Sequence, residues 1–245
     1  MLKEIKNKNL FLNINNRMLN IFSNIMSNSK NYNNSVINYI YSNNNTFENE
    51  SFTGLFYNIK MLNINYYLHF DLFFNCIQEK LMTELRSKKG LGYHCFLNYK
   101  IFSPEDKYLI FYVQGSMKTP IEVQDDIQEV LYDIINNWNC NNFDKIKNYY
   151  FEYNRYFKIL NTFTKRVDKF ISDNNNNNEI DQGNIPKNFK EAVDAIRIIF
   201  ENPIRIGIFE YANYIDSNFI DQEIKNRKDE SYFLNRDIIV EYEKY

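Results

Sequence analysis

The sequence predicts an α+β fold, in which helices pack on one face of a largely antiparallel sheet. The sequence contains two pairs of strand-like segments, and within each pair the two segments are consecutive, with no helix between them. One of these pairs has the form of a hairpin. Longer segments with apolar residues at helical spacing lie between and after the pairs. The chain has 245 residues, of which 44% are hydrophobic, so it is long enough to bury a real core.

The first part of the chain contains one amphipathic helix, two strands and one long helix. Residues 2–28 carry apolar residues spaced by four, which predicts a helix. The segments 35–42 and 52–61 are rich in β-branched and aromatic residues, and an asparagine-rich loop separates them, so both are predicted to be strands. Residues 62–89 then have the pattern of a long, mostly buried helix, and Gly90 is the residue type that commonly closes one.

The second part begins with the hairpin and continues with helices. The segments 92–102 and 108–116 are strand-like and are joined by "SPEDK", so they are predicted to pair. Thr119-Pro120 has the residue types that open a helix. This helix is predicted to end at about residue 137, and a second helix is predicted from about residue 142 to beyond residue 160. A low-complexity loop at 173–179, a helix at 188–200 and a strand at 203–212 are predicted to follow.

This order of elements predicts one domain with an extension at each end. Residues 1–34 are expected to form a lead-in helix, and residues 35–212 are expected to form the domain itself. Residues 213–245 are charged and polar, and within them only "FLNRDIIVEY" is expected to dock. Internal repeats are not detectable in the sequence.

Charge argues against a nucleic-acid-binding role. The chain has 29 basic and 31 acidic residues, which gives a net charge of −2, and charges of one sign do not form long blocks. Proteins that bind a phosphate backbone usually carry a basic excess or a basic stripe. Asparagine, isoleucine, lysine, tyrosine and phenylalanine are all frequent, which is the composition that an AT-rich genome produces. The asparagines are therefore interpreted as surface and loop residues.

Cysteine usage and hydropathy favour a reducing, cytoplasmic location. Three widely spaced cysteines do not make a disulfide framework. The sequence has no apolar run approaching the roughly 18 residues of a membrane span. Lysine and asparagine interrupt the apolar positions near Met1, so a secretory signal is not expected. A cytoplasmic protein without a membrane partner is the expectation.

Local motifs for metal binding or nucleophilic catalysis are missing from the sequence. The two histidines, His69 and His94, are too far apart for H-x-x-E-H or H-E-x-x-H, and His69 on an apolar helix is interpreted as a core residue. Cys95 follows His94 directly, but neighbours in a strand point to opposite faces. Asp125 and Asp126 are interpreted as a solvated helix face. The chain is therefore expected to hold no metal and to have no nucleophile of its own.

The stretch "LRSKKGLGYHCF" at residues 85–96 carries the strongest candidate site. Arg86 is expected in the last turn of the long helix, and Tyr93 is expected just past the glycine cap. Two donors that project from the same end of the sheet would suit a peptide carbonyl or a developing oxyanion. The alternative is that Arg86 favours the helix dipole and Tyr93 is a core aromatic. Spacing alone leaves both interpretations open.

The block Leu85-Arg86-x-x-x-x-Leu91-Gly92-Tyr93 resembles the L-R-x-x-x-x-L-G-Y signature of the insulin-degrading enzyme/pitrilysin family of metallopeptidases. It resembles the form found in the non-catalytic C-terminal half of that family. The likeness covers roughly residues 35–212 and includes the central strand "TGLFYNIKM" and the long helix before the signature. It also includes the closing helix and strand "FKEAVDAIRIIFENPIRIGIFEYA".

The resemblance implies a zinc-free domain or subunit of a metalloendopeptidase. In such enzymes one half binds zinc through H-x-x-E-H, and the other half supplies an arginine and a tyrosine that bind substrate and steady the reacting carbonyl. By the motif match, these residues are Arg86 and Tyr93. Zinc is then expected only on a complementary catalytic half, either upstream in the same polypeptide or on a separate chain. The expected partners are that half and a peptide substrate, and this chain alone is predicted to be inactive.

Two other interpretations remain open. The chain can be a degenerate relative that acts as a non-catalytic binding or scaffold subunit with no role in proteolysis. It can also be a generic α+β domain in which the nine-residue motif is accidental.

Overall fold

The computed structural model describes most of the predicted domain. The described residues are 36–42, 50–60, 62, 66–91, 94–101, 107–153, 185–201, 203–212, 214–226 and 240–244. The predicted helix at 2–28 and the predicted loop at 173–179 lie outside them.

The described residues form a six-stranded mixed sheet with the strand order β3-β4-β2-β5-β1-β6. The strands are β1 (Val36–Ser42), β2 (Ser51–Asn58), β3 (His94–Ile101), β4 (Lys107–Gly115), β5 (Arg205–Tyr211) and β6 (Val240–Lys244). The pairs β3–β4, β4–β2 and β2–β5 are antiparallel, whereas β1 pairs in parallel with both β5 and β6. The predicted hairpin is confirmed as β3–β4, and the sheet is largely antiparallel.

Helices follow the strands at nearly the predicted positions. They are α1 (Tyr67–Thr83), α2 (Pro120–Asn136), α3 (residues 143–153), α4 (Phe189–Ile196), the short α5 (Ile198–Glu201) and α6 (Ser217–Asn226). The start of α2 is a capping box: the Thr119 hydroxyl accepts from the Glu122 N–H, and the Glu122 carboxylate accepts from the Thr119 N–H. Helix α1 begins at Tyr67 rather than at residue 62, so the long-helix prediction was too long at its start.

The helices pack on one face of the sheet, as the α+β prediction requires. Alternate strand residues such as Leu55, Phe111 and Phe209 are almost fully buried in one cluster with side chains of α1, α2 and α4. Residues of the opposite face are buried as well, including Phe56 and Ile208, which are both 0% exposed. The strands therefore have the apolar content of a sheet that is covered on both sides.

The final part of the chain adds a helix and a strand to the fold. Helix α6 and strand β6 both lie within the predicted tail at 213–245, and β6 pairs with β1 along Val36–Ile40. The carboxylate of Glu223 in α6 accepts hydrogen bonds from the hydroxyls of Thr119 and Tyr211, which attaches α6 to the start of α2 and the end of β5. The domain boundaries at 34 and 212 stay a prediction.

Candidate functional site

The candidate site begins where α1 widens before β3. Helix α1 continues into a π-helical turn at Glu84–Lys88, in which the Lys89 N–H donates to the Glu84 carbonyl at 2.9 Å. Gly90 then takes a left-handed φ of 68°, and the Leu91 N–H donates to the Leu85 carbonyl at 3.1 Å. Leu85 and Leu91 are both buried, so this helix end is closed by hydrogen bonds and by an apolar contact with the core. π-Helical turns within α-helices are frequent at functional sites.

Arg86 lies in this π-helical turn and is exposed. Its Nη2 donates to the carbonyl oxygen of Cys95 in β3 at 3.0 Å, and its guanidinium lies 5.9 Å from the centroid of the Phe96 ring. These contacts direct the side chain along the beginning of β3. A guanidinium has five N–H donors, and among the described residues only Cys95 accepts from this one. With respect to the described residues, donors of Arg86 thus remain available at the exposed end of the helix.

Tyr93, the second predicted site residue, lies outside the described residues. It immediately precedes His94, at which β3 begins. The predicted approach of the Arg86 and Tyr93 polar groups therefore stays a prediction.

The buried carboxylate of Glu84 stabilises the π-helical turn through two lysines. Lys80 and Lys88 donate to the same Glu84 oxygen at 2.6 and 2.7 Å. Burial on its own would raise the pKa of Glu84, but the hydrogen bonds and positive charges of the two lysines outweigh it, so the pKa lies below its ordinary value. The ionised form of Glu84 therefore holds together one side of the turn that carries Arg86.

Lys89 attaches the same turn to α2. Its ammonium pairs with Asp126 at 3.2 Å and with Glu129 at 2.5 Å, and Lys118 also pairs with Asp126. Burial lowers the pKa of Lys89, but the two carboxylates outweigh that effect and raise it. The interpretation of Asp126 as a solvated face was wrong: it is 7% exposed, because two lysines from neighbouring segments lie over it.

Neither cysteine nor histidine chemistry is favoured at this site. Burial raises the pKa of the Cys95 thiol to about 11, against the opposing effect of Arg86, so the thiolate is disfavoured. His69 is buried, as expected, and burial lowers its pKa. Within the described ranges, no group of three His, Cys, Asp or Glu side chains could hold a metal ion. In the same part of the chain, no helix is both long and apolar enough to cross a membrane.

Comparisons with known proteins define the class of domain. Residues 36–150 match the family model described as the peptidase M16 inactive domain. A solved protease from Helicobacter pylori is 14% identical with a TM-score of 0.51, and the match covers 71% of this chain and 43% of that chain. The M16 inactive domain from Pseudomonas fluorescens is 13% identical with a TM-score of 0.48, and the match covers 73% and 44% of the two chains. Pitrilysin is 10% identical with a TM-score of 0.47, over 86% of this chain and 22% of its own.

The family match indicates a peptidase-type domain of the non-catalytic kind. Residues 36–150 match the inactive domain of the M16 peptidase family, which confirms the predicted resemblance to a non-catalytic domain of this kind. The chain spans less than half of the length of the solved relatives named above. None of the curated proteins is similar enough in sequence to count as a match.

Proposed function

We propose that this chain is the zinc-free part of an M16-type metalloendopeptidase, in which Arg86 and Tyr93 contact the peptide substrate. The zinc-bearing half would lie upstream in the same polypeptide or on a separate chain. The observation that carries the proposal is the position of Arg86. It occupies the arginine position of the family signature, in a braced π-helical turn, and its guanidinium is exposed.

The contacts around Arg86 are those expected of a preorganised donor. The Cys95 carbonyl holds one Nη, so the guanidinium does not have to be ordered when a substrate arrives. The remaining N–H groups can donate to a peptide carbonyl, and more strongly to the negative charge that develops on its oxygen. A hydroxyl from Tyr93 would supply a second donor. Both residues would bind and orient the substrate carbonyl, and neither would transfer a proton.

Zinc has no fitting ligand set among the described residues of this chain. We therefore assign the metal, and the activation of water that it supplies, to the complementary half.

One observation favours the scaffold alternative. The bond from Arg86 to the Cys95 carbonyl also joins the end of α1 to β3, which is a purely structural task. A scaffold subunit would keep this bond and would need no donor directed at a substrate. Activity of a reconstituted complex distinguishes the two functions, because only the peptidase function needs the remaining donors.

The test is reconstitution of peptide hydrolysis. The zinc-bearing half would be identified as an in-frame H-x-x-E-H upstream of Met1 or as a separate protein, and then combined with this chain and an unfolded fluorogenic peptide. We expect Arg86→Ala and Tyr93→Phe each to lower kcat/KM by about 10²–10³, the usual loss for one oxyanion donor. Arg86→Lys should also be impaired, because an ammonium lacks the planar fork of donors.

Two neighbouring substitutions serve as controls. Ser87→Ala lies beside Arg86 in the same turn and is exposed. Arg197→Ala removes a half-buried arginine that lies between α4 and α5. Both should leave hydrolysis unchanged. An active complex that tolerates Arg86→Ala and Tyr93→Phe with full turnover would contradict the peptidase function. If the complex still assembles in that case, the scaffold function is supported instead.

A further inference from the structure

Within the part of the chain that the structure describes, a second arginine of the domain, Arg205, is buried without a carboxylate partner. Arg205, the first residue of β5, is 4% exposed, and it lies on the same face of the sheet as the core residues Phe209 and Tyr211. Its Nη2 donates to the Asn38 side-chain oxygen over a long 3.4 Å, while its Nε has no partner. Among the described residues, Arg205 forms no ion pair.

The amide that faces Arg205 is also incompletely bonded. Asn38 in β1 is 0% exposed, and its Nδ2 has no partner. It lies opposite Gly207 in the parallel β1–β5 pairing. A Cβ added to Gly207 would approach the Asn38 side-chain oxygen to 2.3 Å, so the glycine is what allows the amide to lie over β5. The pairing of these strands thus holds the amide beside the guanidinium.

This arrangement is unfavourable unless something else completes it. Burying a cation costs a large amount of free energy. One long hydrogen bond from Arg205 to a neutral amide oxygen offsets only a small part of that cost. Buried polar groups in folded proteins almost always have a partner, and buried charges are normally paired. The two donors without partners, Arg205 Nε and Asn38 Nδ2, belong to neighbouring side chains on one face of the sheet. An anion with two acceptor oxygens could receive one hydrogen bond from each of them.

We propose that Arg205 and Asn38 form a binding site for a carboxylate, which receives hydrogen bonds from the guanidinium and from the amide. A carboxylate fits because its two oxygens can accept from a planar fork of donors, and because its charge neutralises the buried cation. The site is separate from the proposed Arg86 surface, since Arg86 contacts the edge strand β3 and Arg205 begins the interior strand β5. It does not depend on any peptidase activity.

The carboxylate can come from a free small acid or from an acidic side chain of a protein partner. Acetate is the probe for the first source, and a blocked short peptide with a single glutamate is the probe for the second, with its glutamine counterpart as control. Thermal unfolding of the full chain is followed at constant ionic strength, with chloride replacing the probe. Above the dissociation constant, each tenfold rise in a bound probe should raise the Tm by about 3–5 °C.

Substitutions assign the effect to the site. Arg205→Met should abolish the rise in Tm, whereas Arg197→Met is the matched control and should keep it, because Arg197 is half-buried and pairs with Asp194 and Glu201. Arg205→Met can fail to fold, so saturation-transfer NMR of acetate on the wild type and on Gly207→Ala provides a second measurement. Gly207→Ala keeps the guanidinium but displaces the Asn38 amide, and it should weaken the signal.

The outcomes are decisive in both directions. The site is supported if acetate or the glutamate peptide raises the Tm of the wild type and this rise is lost in Arg205→Met. The probe that raises the Tm then identifies the source of the carboxylate. The proposal is overturned if neither probe shifts the Tm of the wild type. It is also overturned if Arg205→Met responds as the wild type does, or if Gly207→Ala leaves the acetate signal unchanged.

Discussion

Replacing Gly90 by alanine tests how the turn that carries Arg86 is built. Gly90 has a φ of 68°, and nothing lies within 4 Å of an added Cβ, so the substitution changes backbone energy without creating a clash. A left-handed conformation costs an L-residue about 1–2 kcal/mol. Alanine also restricts the unfolded chain, which offsets about 0.4–1 kcal/mol of that cost. The free energy of unfolding should therefore fall by about 1 kcal/mol, and the Tm by about 2–4 °C.

Urea unfolding followed by circular dichroism measures this change. The midpoint should fall while the slope with denaturant stays constant, since the surface that unfolding exposes is the same. Gly90→Asn is the matched control, because asparagine tolerates the left-handed region and should lose less stability than alanine. An alanine variant as stable as the wild type, or more stable, would refute the left-handed closure of α1. The site would then need a different account of how Arg86 is positioned.

Two further predictions concern the supports of the same turn. The lysine contacts place the folded pKa of Glu84 below its ordinary value of 4.5, so their stabilisation is present above that pH and is lost as pH falls through the folded pKa. A plot of Tm against pH should therefore decline less steeply on the acid side for Glu84→Gln than for the wild type, and parallel declines would contradict this. An added Cβ at Gly115 would lie 2.9 Å from the Leu91 carbonyl oxygen, a backbone atom with little freedom to move. Gly115→Ala should therefore lower the free energy of unfolding by about 1–3 kcal/mol, as measured by urea unfolding. An unchanged midpoint would contradict this, because it would show that Gly115 and Leu91 can move apart without a cost in stability.

Local patterns predicted the elements of the fold well. The hairpin strands were expected at 92–102 and 108–116, and the structure has them at His94–Ile101 and Lys107–Gly115. Alternation and a proline-containing turn are local signals, so the sequence carries them directly. The capping residues of α2 were equally visible, since Thr119, Pro120 and Glu122 are adjacent in the chain.

The order of the strands was not predictable in the same way. Strand β1 pairs in parallel with β5, which lies about 170 residues later in the chain. No turn connects them, so neither alternation nor a loop motif specifies this neighbour. The same limitation applies to Asp126. Its burial depends on Lys89 and Lys118, which approach it from outside its own helix and leave no periodic trace in the sequence.

The two arginines show which kind of site a sequence reveals. Arg86 stands in a nine-residue signature, so its candidate role was visible from the motif alone. Arg205 stands in "RIGIFEY", which was predicted only as an alternating strand. Alternation nevertheless places Arg205 on the face of Phe209 and Tyr211, which pack in the core, with the small Gly207 between them. A charged residue on the core face of a predicted strand is thus a usable signal, because such a position is stable only if something neutralises the charge. The partner amide of Asn38, 167 residues away, still required the tertiary structure.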